Sequence, residues 1–385
     1  MSQRLLITNC RLFDAPDDEQ TTSILIENGT IKQVGQINSS INGDNTVDAN
    51  GRVVAPGFVD VHIQGAGGAD VLDATPEALR AISQTCARFG VTGFVATTVF
   101  KPNQSNEHLA LAAEYVGRDL GGANLLGIHL EGPFIAPEKK GMIRPECVCA
   151  PSMQRLEEIQ TVTKGRLRMM TIAPELPGSV QLIQHLVDAN VIASFGHSAA
   201  SYEQTVEGFN AGISHVTHLF NAMPTLHHRA PGSLPAIFQT ANVTAQLICD
   251  GVHIHPTVLK LAFDLLGPDR VIPITDGMQA LGLADGNYVY NGIEYESKNG
   301  TARYKDGTLI GTAVGLSEML QRLVAFTQCP LDVAVRTATL NPARVLGLQE
   351  KKGAIAPGKD ADLVLLDDDH SVQMTLVGGE IVFRK

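Results

Sequence analysis

No apolar run in this chain approaches the roughly 18–20 residues that a membrane-spanning helix needs. The opening residues, MSQRLLITNC, hold no apolar core of the kind a secretion signal carries. A cytoplasmic protein without membrane contact is therefore expected. Cysteine is sparse and scattered. Of Cys10, Cys86, Cys147, Cys149, Cys249 and Cys329, only Cys147 and Cys149 are close, and no second pair completes a zinc cage. All six are expected as reduced thiols. Positive charge is also short: 29 Lys and Arg face 40 Asp and Glu, for a net charge of −11. That balance argues against nucleic acid or an anionic membrane as the main partner. An anionic substrate would have to meet a local cation or backbone amides. Internal repeats and low-complexity tracts are absent too.

What is present suffices for one large core and a smaller satellite: 385 residues, 44% apolar and 18% charged. The two ends of the chain read alike. Leu5 to Ile7, Ser23 to Glu27 and Ile31 to Val34 are short strand candidates, the last two joined by Asn28-Gly29, a strong hairpin signal. Asp362 to Leu366, Gln373 to Val377 and Glu380 to Phe383 repeat the pattern around Gly378-Gly379. Neither end can bury a face alone, so both termini are expected to form one small β-sandwich, from residues 1–54 and 355–385.

Residues 55–354 alternate strand and helix. Apolar strand candidates end in polar residues eight times: Phe58 to His62, Phe94 to Thr98, Leu126 to Glu131, Met169 to Glu175, Ile192 to His197, Val216 to Leu219, Ala245 to Asp250 and Val271 to Asp276. Amphipathic helical stretches lie between them, Pro76 to Arg88 and Ser179 to Ala189 among them. Eight such units predict an α/β fold, a (β/α)8 TIM-like barrel. The competing open doubly wound sheet fits less well. Gly65-Ala66-Gly67-Gly68 follows the first strand, but Asp70 stands where the dinucleotide fingerprint needs its third glycine. After the eighth strand, Gly286 to Leu316 reads as an irregular hairpin or lid, and Ser317 to Thr327 and Leu331 to Leu346 read as helices.

In a barrel of this kind the C-terminal strand ends carry the chemistry. Glu131 ends the third strand, just before Gly132-Pro133. An isolated Glu there is ordinarily just solvent-exposed, and a lone strand histidine is ordinarily a hydrogen-bonded core residue. Glu131, His197 and His218 at equivalent strand ends are a different matter. They make a two-His, one-carboxylate set suited to a hydrolytic metal with open positions. Asp276, at the eighth strand, could take a proton from water and return it to a leaving amine; at an Asp-Gly turn it could equally be a helix cap. His253 could polarise a carbonyl or hold a hydroxyl. His215, His227 and His228 read as structural or surface residues.

The segments Pro56 to His62, His129-Leu130-Glu131-Gly132-Pro133-Phe134, Gly196-His197-Ser198, Thr217 to Met223, Asp250-Gly251-Val252-His253 and Thr275-Asp276-Gly277 resemble the N-acetylglucosamine-6-phosphate deacetylase family of the amidohydrolase superfamily. The likeness continues into Asn341-Pro342-Ala343 and Gly353 to Leu363, and so spans nearly the whole chain. It implies hydrolysis of N-acetyl-D-glucosamine 6-phosphate to D-glucosamine 6-phosphate and acetate, in amino-sugar catabolism. It implies a divalent ion, Zn2+ first and Fe2+, Co2+ or Mn2+ otherwise, on Glu131, His197 and His218, with Asp276 as catalytic base and acid. Substrate contacts fall on Met142, Asn221, Ala222, Asp250, Gly251, Val252 and His253, and on the loop of Leu309, Ile310, Gly311 and Thr312. Arg229 matches an arginine that reaches the phosphate from the neighbouring subunit of a homodimer.

Two departures stand out. Many amidohydrolases carry His-x-His on the first strand; here the run is His62-Ile63-Gln64. Gln is a poor transition-metal ligand, so one ion per chain is expected. After Lys139-Lys140-Gly141 the family often has a histidine, where this chain reads Met142-Ile143-Arg144. The alternatives are a cyclic-amide hydrolase or deaminase of the same superfamily, and a non-catalytic scaffold. Glu rather than Lys at 131 weighs against the carboxylated-lysine type, and retention of all three ligands with Asp276 weighs against a scaffold.

Overall fold

The computed structural model describes residues 4–16, 21–37 and 45–385. The expected terminal unit 1–54 thus includes three stretches, 1–3, 17–20 and 38–44, that lie outside the described residues.

Eight strands pair in parallel in strict chain order: Phe58–Ile63, Val91–Thr98, Asn124–Glu131, Leu167–Ile172, Ile192–Phe195, His215–Val216, Thr244–Ile248 and Val271–Ile274. The eighth returns beside the first. Asp276 N–H donates to the His62 carbonyl, and Gln64 N–H to the Gly277 carbonyl, both at 3.0 Å. The result is a TIM-like barrel with helices outside. Period-two alternation sends Asp60, His62 and Gln64 to one face of the first strand and Val59, Val61 and Ile63 to the other.

Helix Pro76–Arg88 shows why the crossovers form where they do. Thr75 caps it by accepting the Ala78 N–H at 3.1 Å, and Pro76 occupies its first turn. Leu79, Ile82 and Cys86 then fall on one buried stripe against the barrel. Below the future site the barrel interior is polar and hydrogen-bonded. His129 Nε2 meets Thr171 Oγ1 at 2.8 Å, and Thr217 Oγ1 meets Thr171 Oγ1 at 2.8 Å and Ser194 Oγ at 2.6 Å. Pairing these groups with one another is what lets them stay buried.

The chain termini meet in one continuous sheet. Strand Val53–Pro56 joins Arg4–Leu12 in parallel on one side and Leu363–Leu366 antiparallel on the other. This sheet has a core of its own, including Ile7, Ile24, Ile26, Val54, Leu363 and Leu376. Among the described residues no helix is long and apolar enough to cross a membrane.

Three expectations need correction. The stretch Gly286 to Leu316 is neither a simple hairpin nor irregular. It is a four-stranded antiparallel meander, Gly286–Tyr290, Ile293–Lys298, Thr301–Tyr304 and Leu309–Thr312, built over Tyr290, Tyr295 and Ile310. The helix expected over Leu331 to Leu346 breaks at Thr339 (φ −127°, ψ −74°) into Leu331–Ala338 and Leu340–Val345. Asn341 there turns its amide to the carbonyls of Pro268 and Val271. Finally, His197, His218 and Asp276 do not end their strands. Each lies two residues beyond, after Phe195, Val216 and Ile274, with a positive φ of 48°, 25° and 46°. A left-handed residue cannot continue the ladder, so the strand stops and the side chain turns over the barrel mouth.

Candidate metal centre and active site

Glu131 Oε1 is the centre of the constellation. His197 Nε2 lies 2.9 Å from it, His218 Nε2 lies 3.0 Å from it, and the two nitrogens are 3.1 Å apart. All three residues are buried. The geometry fits a cation on hydrogen-bonding grounds. His197 Nδ1 donates to the Lys139 carbonyl at 2.7 Å, since a carbonyl can only accept. That leaves His197 Nε2 as a lone pair aimed at a carboxylate oxygen, the tautomer a metal-binding imidazole needs. Gln64 Nε2 donates to the other Glu131 oxygen at 3.2 Å and so orients the carboxylate.

The charges agree. Burial alone would raise the Glu131 carboxyl, but the flanking His197 and His218 hold it well below the usual carboxylate range. Burial pulls His218 down, yet the Glu131 carboxylate more than offsets it and leaves the ring raised. A proton on His218 and a metal ion compete for the same place, where positive charge is stabilised.

His62 joins from the first strand. Gln246 Oε1 accepts the His218 backbone N–H at 3.2 Å, which fixes that atom as the oxygen; His62 Nδ1, 3.0 Å away, must therefore donate to it. His62 Nε2 then faces Asp276 Oδ1 at 3.3 Å and Glu131 Oε1 at 3.8 Å. Non-glycine residues with positive φ are uncommon and cost of order 1 kcal/mol each, and they concentrate at functional sites. His197, His218, Ala222 and Asp276 all adopt it. Two glycines allow this backbone. A Cβ on Gly196 would come within 2.8 Å of Thr171, and one on Gly311 (φ +132°) within 2.4 Å of the Asp276 carbonyl.

A cavity of about 150 Å3 opens above these groups. Of the sequence-predicted contacts, Met142, Asn221, Ala222, His253, Leu309, Ile310 and Gly311 line it together with Glu131, His197, His218 and Asp276. Asp250 stands behind His253, accepting its Nδ1–H at 2.6 Å and the N–H groups of Val252 and His253 at 2.9 and 2.8 Å. Burial would raise the Asp250 carboxyl, but these bonds hold it low. The free His253 nitrogen is then Nε2. Gly251 packs toward Phe326, Val252 is exposed, and Thr312 lies beneath the pocket with its hydroxyl on the Thr275 carbonyl at 2.7 Å. Arg229 is exposed in the loop with His227 and His228 and does not line the cavity of its own chain.

Sequence reasoning missed Gly141, which lines the pocket, and the supporting residues Gln246 and Asp60. The signal for the last two was available: a polar side chain in the middle of a mostly apolar strand. His215, read as structural, is buried with Nδ1 on Thr244 Oγ1 at 2.6 Å. The six cysteines are free.

Two histidines and a glutamate converging above a parallel barrel define the amidohydrolase class. Residues 53–382 match the Amidohydrolase family model, and the chain belongs to that family. Within it the chain's place is among the N-acetylglucosamine-6-phosphate deacetylases, metal-dependent hydrolases. It is 37% identical over 335 residues to the enzyme of that name from Bacillus subtilis, covering 86% of this chain and 85% of the relative. It is 34% identical over 367 residues to the N-acetylgalactosamine-6-phosphate deacetylase of Escherichia coli, covering 95% of both. A mutant N-acetyl-D-glucosamine-6-phosphate deacetylase from Mycobacterium smegmatis, solved with N-acetyl-D-glucosamine-6-phosphate, superposes with a TM-score of 0.90 at 32% identity, over 98% of this chain and 99% of that one.

Proposed function

We propose that this chain hydrolyses the acetamide of N-acetyl-D-glucosamine 6-phosphate, releasing acetate and D-glucosamine 6-phosphate, as a step of amino-sugar catabolism. The observation that carries the reading is the convergence of Glu131 Oε1, His197 Nε2 and His218 Nε2, all within 4.8 Å of one another, with Asp276 beside them. These three residues would hold one divalent ion per chain, Zn2+ before Fe2+, Co2+ or Mn2+. Such an ion polarises the acetamide carbonyl and acidifies water.

The chain's own residues do the rest. Asp276 Oδ1 takes the proton of the attacking water and delivers it to the amide nitrogen, so the C–N bond breaks with a neutral amine leaving. His62, its Nδ1–H fixed on Gln246, keeps a lone pair toward that carboxyl. His253 offers Nε2: as a neutral ring it accepts a sugar hydroxyl, and only as imidazolium would it donate to the developing oxyanion. Met142, Asn221, Ala222 and the 309–312 loop shape the pocket, with Asp250, Gly251 and Val252 supporting His253.

The E. coli relative supports a second reading, the C4 epimer, N-acetylgalactosamine 6-phosphate. Acetate release from both 6-phosphates and from unphosphorylated N-acetylglucosamine separates the readings. Comparable kcat/KM with and without phosphate would overturn the sugar-phosphate assignment.

Arg229 would meet the phosphate in the active site of a second copy. Its own loop continues into an apolar face: Leu226, Leu261 and Leu265 are 63%, 56% and 50% exposed around a groove of about 540 Å3. Patches of that kind on a soluble enzyme fit a subunit interface. The chain would divide into residues 55–354, the barrel, and 1–54 with 355–385, a sandwich-like unit; the separate core of the terminal sheet supports this. Reduced cysteines fit a cytoplasmic enzyme.

A further inference from the structure

We propose that Asp60 is a positioning residue for the reaction, acting across the barrel seam to fix the backbone of Asp276 and the ring of His62. This rests on Asp276 being the proton carrier.

The first and eighth strands are the two ends of the sheet order. Elsewhere in the barrel, ladder bonds set one strand's height against the next. At this seam a buried side chain shares that task. Asp60 Oδ2 accepts the Thr275 hydroxyl at 2.5 Å, and Oδ1 accepts the His62 N–H at 3.1 Å. Thr275 is tied on every side: its hydroxyl accepts the Gly277 N–H at 3.1 Å, and its carbonyl accepts the Thr312 hydroxyl at 2.7 Å. Asp276 sits between Thr275 and Gly277. Its N–H is held by the His62 carbonyl at 3.0 Å, and its carbonyl by the Thr312 N–H at 2.9 Å. These bonds hold the residue at a φ of +46°, which an unrestrained aspartate would leave. One carboxyl thus sets both partners of the 3.3 Å contact between His62 Nε2 and Asp276 Oδ1. Burial lifts the Asp60 carboxyl to about 7, a penalty the fold accepts in keeping an acceptor here.

The test uses the full-length, metal-loaded enzyme with Asp60→Asn, Thr275→Val and Thr275→Ser. Rates are normalised to folded, metal-containing protein. Asp60→Asn and Thr275→Val should lower kcat roughly 10- to 100-fold, the scale of a misplaced reacting group, and leave KM within about twofold. Thr275→Ser, which keeps the hydroxyl, should restore kcat to within about threefold, and the acidic limb of the pH–rate profile should move in the Val variant but not in the Ser variant. If Thr275→Ser is as damaged as Thr275→Val, or kcat and KM move together, Asp60 is only structural. Should Asp60→Asn fail to fold, the Thr275 pair decides alone. An inactive Asp276→Asn beside a fully active Asp60→Asn defeats this inference only; an active Asp276→Asn defeats the underlying reading.

Discussion

His62 Nε2 and Asp276 Oδ1 face each other at 3.3 Å, both buried and neither hydrogen-bonded. Burial pushes the His62 ring below its ordinary pKa, against the pull of Asp276 and Glu131. The ring is therefore neutral at physiological pH, with its one N–H already given to Gln246. Two lone pairs confront each other, and on the proposed mechanism a proton taken up by Asp276 would land between them. Asp276→Asn would remove that proposed proton carrier but put an amide N–H opposite His62. We expect turnover to fall by at least ~1,000-fold, about 4 kcal/mol of barrier, with metal content kept and the melting temperature unchanged or raised. Activity within about tenfold of wild type would remove Asp276 from the mechanism.

The metal prediction follows from Glu131. Its Oε1 is shared by His197 and His218, and its other oxygen is held by Gln64. Elemental analysis after reconstitution should give roughly one divalent ion per chain, and a chelator should lower the melting temperature. Glu131→Gln should lose most of the bound ion, because a neutral amide would replace the only charge in the proposed ligand set. Two tightly held ions per chain would mean that His62 and Gln64 ligate after all.

Outside the site, Asp70 gives a pH prediction. Its Oδ1 caps Leu72 N–H at 2.8 Å, while Oδ2 is buried without a partner. Burial lifts this carboxyl from 3.8 to about 7. A raised carboxyl is no burden below its unfolded value, and the fold loses stability as pH climbs from about 4 through 7. The whole effect is at most ~4 kcal/mol. Asp70→Asn keeps the cap and removes the ionisation. Relative to wild type its melting temperature should improve between pH 5 and pH 8. A difference that stays constant with pH would show that Asp70 ionises freely.

Much of this architecture was legible because its signals are local. Glu131 follows the mostly apolar run Leu125 to Leu130, broken only by Gly127 and His129, and its strand ends on it. His197, His218 and Asp276 look the same in sequence, yet their strands stop two residues short. Alternation cannot reveal that a residue will turn left-handed, because the neighbours that hold it there, such as Gly311 against the Asp276 carbonyl, come from distant segments. The break at Thr339 escaped for a related reason. The 3.6-residue pattern runs on through it, and the groups that reward the break, the carbonyls of Pro268 and Val271, lie about 70 residues away. The meander from Gly286 was obscured because its burial pattern crosses polarity: Ser297 is buried beside Tyr295, while Val289 and Ile293 are exposed.

The phosphate remains the strongest demand on an acidic chain. Arg229 can grip it in a bidentate way, but it stands exposed on a loop away from its own pocket, beside the apolar face of Leu226, Leu261 and Leu265. If that face joins two copies, each pocket borrows the partner's arginine. Arg229→Ala should then raise KM for the phosphorylated sugar at least ~10-fold, about 1.4 kcal/mol, and barely change the unphosphorylated one. Leu261→Glu should shift the sedimentation of the protein toward monomer and raise KM in parallel, although Leu261 touches no substrate. Mixed chains give the sharpest result. Assayed on the phosphorylated sugar well below KM, an Arg229→Ala chain, at about a tenth of wild-type activity or less, and a nearly inactive Asp276→Asn chain should regain up to about a quarter of wild-type activity when co-assembled. Random pairing makes half the dimers hybrid, and each hybrid holds one site with both residues intact. Hybrids that form without regaining activity would place the phosphate ligand within one chain, with His227 and Arg144 the next residues to replace.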